Sequence, residues 1–132
     1  MKNLGKVLVC LVLIISVYTS TAIASEIMPL ADSEFFSASA LLSTRKDVSF
    51  SCSTYDLKST IKITSCWLEK KSGNNWAWEC SLTSPSTIAT NTDTYAALMD
   101  YSSQIGTGTY RVGFTVNADG HAITRYSNSR TF

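Results

Sequence analysis

The strongest constraint on this chain is a stretch near its C-terminus in which residue character alternates with period two. In Thr109-Tyr110-Arg111-Val112-Gly113-Phe114-Thr115-Val116 the large apolar residues Tyr110, Val112, Phe114 and Val116 share one parity. A strand with one buried face repeats every two residues, whereas a helix would spread these four around its circumference. Asn117-Ala118-Asp119-Gly120 follows. It is a turn signal, because Asn and Asp accept turn geometry and Gly accepts a positive φ. The chain then returns from His121 to Asn128, which predicts an antiparallel hairpin.

The same pattern recurs upstream. Val48, Phe50 and Cys52 alternate with Ser49, Ser51 and Ser53, and residues 35–44 read as a further strand. Residues 93–99 read as a strand as well, although Tyr95-Ala96-Ala97-Leu98-Met99 would also suit a helical turn. In the middle of the chain, Lys70-Lys71-Ser72-Gly73-Asn74-Asn75 is a turn between two apolar runs. The returning run alternates Trp76, Trp78, Cys80 and Leu82. The incoming run has Ile61 and Ile63 on one parity and Cys66 and Leu68 on the other. That switch predicts a β-bulge at Thr64 or Ser65. Ser and Thr supply 32 of the 108 residues after position 24, a composition suited to pleated, half-solvated strands. Antiparallel strands with one wet face bury the other by packing against a second layer. The expected fold is therefore all-β, a seven-stranded immunoglobulin-like or fibronectin type III-like β-sandwich over residues 34–132, with a small β-barrel as the alternative.

The N-terminus has a different composition. Residues 1–24 hold 16 apolar residues, against 40% apolar in the rest. Lys2 and Lys6 precede the unbroken apolar run Val7–Ile15, and Ala22-Ile23-Ala24 offers a small-x-small cleavage pattern. This predicts a signal peptide over residues 1–24 and a secreted, extracellular product. The apolar run falls well short of the ~20 residues that span a bilayer, so no membrane association is expected after cleavage. Residues 25–33, with Pro29, read as a flexible arm. Without the leader nine basic residues face ten acidic ones, scattered along the chain. Nucleic acid and anionic membranes select clustered Lys and Arg, so neither is an expected partner.

Three cysteines remain beyond the leader, an odd number. Cys66 and Cys80 lie seven residues either side of Gly73. If Gly73 centres the turn, they face each other within disulfide range, with Cys52 as a buried thiol. The alternative is three reduced, buried thiols. The cysteine spacings match no paired Cys-x-x-Cys metal pattern. His121 is the lone histidine, placed beside a turn and expected to be solvated, and no nucleophile–base set surrounds it. Neither a cofactor nor a metal is expected. In that same register Glu69 would face Ala77 and Glu79 would face Trp67, both on the solvent side. Trp76 and Trp78 would share the cysteine face and leave Trp67 on the other. An exposed Trp67, with Tyr55 or Tyr95 as a second platform, would suit ring stacking on a sugar or an interface anchor. The opposing reading is that the bulge turns Trp67 inward.

Gly108-Thr109-Tyr110-Arg111-Val112 resembles the Gly-x-Tyr-x-apolar corner of immunoglobulin-like and fibronectin-like domains. That resemblance implies a structural Tyr110, its hydroxyl bonded back onto nearby backbone. The immunoglobulin cysteine two residues later is Val112 here. The chain also carries Ile27-Met28-Pro29-Leu30, a Ser/Thr-rich β-region, Trp76 after a mid-chain turn, Gly108-x-Tyr110-Arg111 and Tyr126-Ser127-Asn128-Ser129. With its leader, this set resembles an uncharacterised family of short secreted proteins from Gram-positive, clostridia-like bacteria. The resemblance implies an extracellular β-sandwich and brings no activity with it. The expected function is a secreted, non-enzymatic β-sandwich that binds a protein or glycan at a cell surface. The rival readings are a carbohydrate-binding module and a small bacteriocin-like or inhibitor protein.

Overall fold

The computed structural model describes residues 32–132, so the expected signal peptide (1–24) and all but Asp32 and Ser33 of the expected arm lie outside the described residues. Seven strands are present: β1 (Phe35–Leu42), β2 (Asp47–Ser72), β3 (Asn75–Leu82), β4 (Ile88–Asp100), β5 (Thr109–Ala118), β6 (His121–Tyr126) and β7 (Arg130–Thr131). Every pairing is antiparallel. The all-β expectation is borne out, and residues 93–99 are strand. The runs beginning at Val48 and at Ile61 are not separate strands, however, but parts of the single 26-residue β2.

β2 organises the sheet. Its first half pairs with β1 on one side and β4 on the other, for example through Ala40, Phe50 and Ala97. Its second half pairs with β5 on one side and β3 on the other. β6 extends the sheet beyond β5. The two layers that burial requires are thus the two halves of one curled sheet, and the same strand runs through both.

The predicted parity switch lies where expected. Ile63 pairs with Val116 and Ser65 with Thr115, leaving Thr64 as the extra residue of a bulge. Ile61 and Ile63 before it, and Cys66 and Leu68 after it, can therefore all point inward, and all are buried. The core joins the halves face to face. The Phe50 ring meets the Phe114 ring edge-on at 5.3 Å and 72°. Ala40 and Ala97, Phe50's cross-strand neighbours, are small enough to leave room for that contact.

Short polar devices hold the seam between the halves. The β5–β6 hairpin turns on Asp119 (φ 49°) and Gly120 (φ 92°), the two positive φ values of a type I′ turn. The Asp119 carboxylate accepts the Ser59 and Thr60 amides of mid-β2, both at 2.9 Å, and this holds its pKa below the usual range. Asn128, from the Tyr126-Ser127-Asn128-Ser129 motif, accepts the Leu42 amide at 2.8 Å and donates to the Leu42 carbonyl at 3.2 Å. Asp32 receives the Glu34 and Phe35 amides and pairs with His121 at 3.1 Å. The Glu34 and His121 contacts, then Phe35, hold the Asp32 pKa down to about 2. So Asp32, within the expected flexible arm, is anchored, and His121 is engaged as well as half-exposed.

Candidate functional site

The middle hairpin places the tryptophans. Ser72 pairs with Asn75, so the turn is the two residues Gly73 and Asn74, with a positive φ (62°) at Gly73. Pairing continues to Glu69 opposite Trp78, then shifts so that Leu68 faces Cys80 and Cys66 faces Leu82. Glu79 is the extra residue of this second bulge. Because a bulge reverses inside and outside along its strand, Trp76 and Trp78 fall on the outer face with Trp67 and Glu69. Cys80 and Leu82 return to the inner side.

That register also replaces the expected Cys66–Cys80 pairing. The turn centre and the bulge together displace the two cysteines by two positions, to a diagonal with Cα atoms about 7–8 Å apart. This exceeds disulfide range, and Cys52, Cys66 and Cys80 are free thiols. Burial pushes the Cys52 thiol up to about 11 and raises the Cys66 and Cys80 thiols in the same direction. Thiols so shifted carry little thiolate at neutral pH and are poor nucleophiles. Among the described residues no group of three His, Cys, Asp or Glu could hold a metal ion.

The outer face of the β3–β2–β5–β6 half carries a connected set of side chains. Glu69 is only 8% exposed, yet both its oxygens are used. Oε2 accepts the Trp67 Nε1–H at 2.8 Å. Oε1 accepts Arg111 through Nη2 at 2.8 Å and Nε at 3.2 Å. The Arg111 guanidinium carbon lies 4.5 Å from the Trp76 ring centre and 4.0 Å from the Tyr126 ring centre. The cation is therefore flanked by two aromatic rings, each contact worth roughly 0.5–1 kcal/mol at a partly exposed site. Tyr126 also meets Trp67 edge-on at 6.0 Å and 87°.

Gly113 is the floor of this arrangement. A Cβ there would come within 2.2 Å of the Trp67 indole, so the ring lies directly over the backbone. Glycine in mid-strand is otherwise unfavourable and marks such a close approach. Trp67 is thus half-buried and held at both its nitrogen and its ring. The most exposed tryptophan is Trp78, at 64%, and Tyr126 is 45% exposed.

The other residues singled out from the sequence lie apart from this set. Tyr95 belongs to the core rather than the surface; its hydroxyl donates to the Thr87 carbonyl, and burial pushes its pKa up to about 12. Tyr55 is exposed but stands twelve residues before Trp67 on β2, where it meets Phe36 edge-on at 5.7 Å. Tyr110 is buried, and its hydroxyl donates to the Thr107 carbonyl at 3.3 Å. Sequence reasoning missed Arg111, Tyr126 and the outward turn of Trp76 and Trp78. Gly113 was the available signal, a glycine amid alternating large residues where only a flat neighbour would require one.

What this face offers chemically is positioning. It presents aromatic surface and hydrogen-bond donors locked by buried contacts, on strands rather than loops. No family model, curated protein or solved structure matches this chain.

Proposed function

We propose that this chain is a secreted, non-enzymatic binding protein that engages a cell-surface partner through the outer face of its β3–β2–β5–β6 half. The observation that carries this reading is the pairing of exposed and fixed groups. Trp78 is largely open to solvent and Tyr126 half so, while Arg111, packed against Tyr126, is locked by Glu69 and two rings. Exposed aromatics on a rigid support lose little conformational entropy on binding, and this favours Trp, Tyr and Arg as interface anchors. The leader-like N-terminus and the resemblance to short secreted proteins support export.

The test compares fluorescently labelled chain with its Trp78→Ala variant on intact Gram-positive cells and on their isolated walls. The Trp78 side chain makes no hydrogen bond among the described residues and is mostly exposed, so the variant is expected to keep its fold. Binding by the parent and its loss in the variant are the expected result. Equal binding by both, or no binding by the parent, would overturn the reading.

A further inference from the structure

We infer that the outer-face site takes an uncharged oligosaccharide, which stacks on Trp78 and Tyr126 and places hydroxyl oxygens against Arg111. This inference rests on the outer-face reading above and adds the chemistry of the ligand.

The first step concerns the donors that Arg111 keeps. Nε and Nη2 are directed at Glu69, and Nη1 has no hydrogen-bond partner among the described residues. Among the described residues no buried side-chain nitrogen or oxygen is left without a partner, so Nη1 reaches solvent. Its N–H groups are held in a fixed plane by the two flanking rings and have an acceptor to find.

Charge selects the acceptor. Glu69 lies 2.8 Å from the guanidinium and offsets its charge. An anionic ligand would meet a nearly neutral pair and gain little Coulomb energy from it. A neutral hydroxyl oxygen gains the hydrogen bond without having to discard a tightly held hydration shell. The site is thus a preorganised donor rather than an anion trap.

The aromatic spacing sets the size. Trp78, Glu69 and Arg111 follow one another across β3, β2 and β5, and Tyr126 lies one strand further on β6. Three strand spacings, about 14 Å, separate the backbones that carry the two exposed rings, and Tyr126 is offset along the strand because it pairs with Gly113. A single sugar ring cannot reach both, whereas a short chain of sugars can. The C–H faces of a pyranose carry slight positive charge and sit well on the negative face of an aromatic ring. Beyond the rings the same face is lined by hydroxyls, including Thr115 and Thr124 at 3.0 Å from one another. A stable protein interface needs an apolar centre within roughly 800 Å² per partner. Two rings separated by a polar donor, with hydroxyls alongside, suit a ribbon of sugars better.

The experiment titrates the full chain with neutral fragments of β-glucan, α-mannan and chitin of two to six units, and with oligogalacturonate as the charged counterpart. Tryptophan fluorescence and calorimetry report binding at low and high salt. The expected result is binding of at least one neutral series. Affinity should rise from two units to four or more and be insensitive to salt. Trp78→Ala should weaken it about tenfold, the scale of an interface anchor. Glu69→Gln, once its melting curve shows that it folds, should gain salt-sensitive affinity for oligogalacturonate, because the guanidinium charge is then uncompensated. Preference of the parent chain for oligogalacturonate with steep salt dependence overturns the inference. So does the absence of any neutral ligand. In either case the cell-binding comparison of parent and Trp78→Ala decides the outer-face reading separately. Neutral-sugar binding that survives Trp78→Ala overturns both.

Discussion

The two halves of the curled sheet share β2 and a core, and they differ in how their outer side chains are held. The outer rows of the β1–β2–β4 half read Ser37, Ser53, Thr94, then Ser39, Ser51, Ala96, then Leu41, Ser49, Leu98 across the three strands. Six of these nine side chains are hydroxyls, of which Ser39 bonds to Ser51 at 3.0 Å, and the exposed Leu41 and Leu98 stand among them, with Phe36 and Tyr55 further along. The outer rows of the other half carry three tryptophans, a tyrosine and an ion pair between the buried Glu69 and the partly exposed Arg111. The inner faces answer to a single demand, which is to exclude water. The outer faces answer to none that folding imposes, so the set in which one guanidinium is held by a carboxylate and two rings, found on only one of them, points to a use outside folding.

The most forceful way to break this comparison is to remove what the halves have in common. Phe114→Ala deletes a fully buried ring that meets Phe50 across the core and leaves a cavity in its place. A loss of about 3–5 kcal/mol is expected, a large part of the stability of a domain this size. Urea denaturation followed by circular dichroism would measure it. A loss below about 1 kcal/mol would mean that the halves do not depend on one another through this contact.

A smaller effect is expected from the ion pair. Glu69→Ala leaves the Arg111 Nε and Nη2 and the Trp67 Nε1 without acceptors beneath two rings. The cost should be about 1–3 kcal/mol, moderated because Arg111 keeps some contact with water. The sharper measurement is a double-mutant cycle with Arg111→Ala, which should restore part of the loss by removing the stranded charge. Strict additivity of the two single losses would show that the pair does not act as a unit.

The same contrast explains what was legible in the sequence. Inner faces write themselves as alternation, so Tyr110 to Val116 and Val48 to Cys52 were readable, and so was the Thr64 bulge, because apolar residues stand on both sides of it. The Asp119-Gly120 turn was readable because its φ values demand particular residues. The Glu79 bulge was not, since Trp suits either face and nothing in Trp76-Ala77-Trp78-Glu79-Cys80 marks the extra residue. The two-residue Gly73-Asn74 turn set the two tryptophans outward, and that turn and the bulge together separated Cys66 from Cys80. The continuity of β2 was hidden for a related reason. Tyr55 to Thr60 is exposed at every position but the half-buried Lys58, and a strand with no buried side carries no period. The candidate site was legible only through Trp67, because its other members are recognised by contact across strands and not by order along one.

Acid should act on the seam that joins the halves. Asp32 precedes β1 and His121 begins β6, and their contact helps to hold the Asp32 pKa down to about 2. A group with a lowered native pKa contributes stability that is fully present above its ordinary value of 3.8 and is lost as pH falls toward 2. Asp119, also lowered, contributes in the same direction. The melting temperature should therefore hold steady from neutral pH to about 4 and decline below it. Asp32→Asn should be less stable at neutral pH and show a shallower decline. An identical acid slope in that variant would remove Asp32 from the account.

The smallest expected effect bears on the comparison most directly. Ser51 sits at the centre of the hydroxyl-rich outer face, its side chain exposed and bonded to Ser39. Water replaces that bond at little cost, so Ser51→Ala should change stability by no more than about 0.5 kcal/mol. It should also leave cell binding and sugar binding at the parent level. If Ser51→Ala weakened either by as much as Trp78→Ala does, the two outer faces would be functionally alike. The asymmetry between the halves would then say nothing about where this protein binds. Silence at Ser51 beside a loss at Trp78 gives that asymmetry its meaning, because both positions lie on the solvent side of one sheet and differ in what they present.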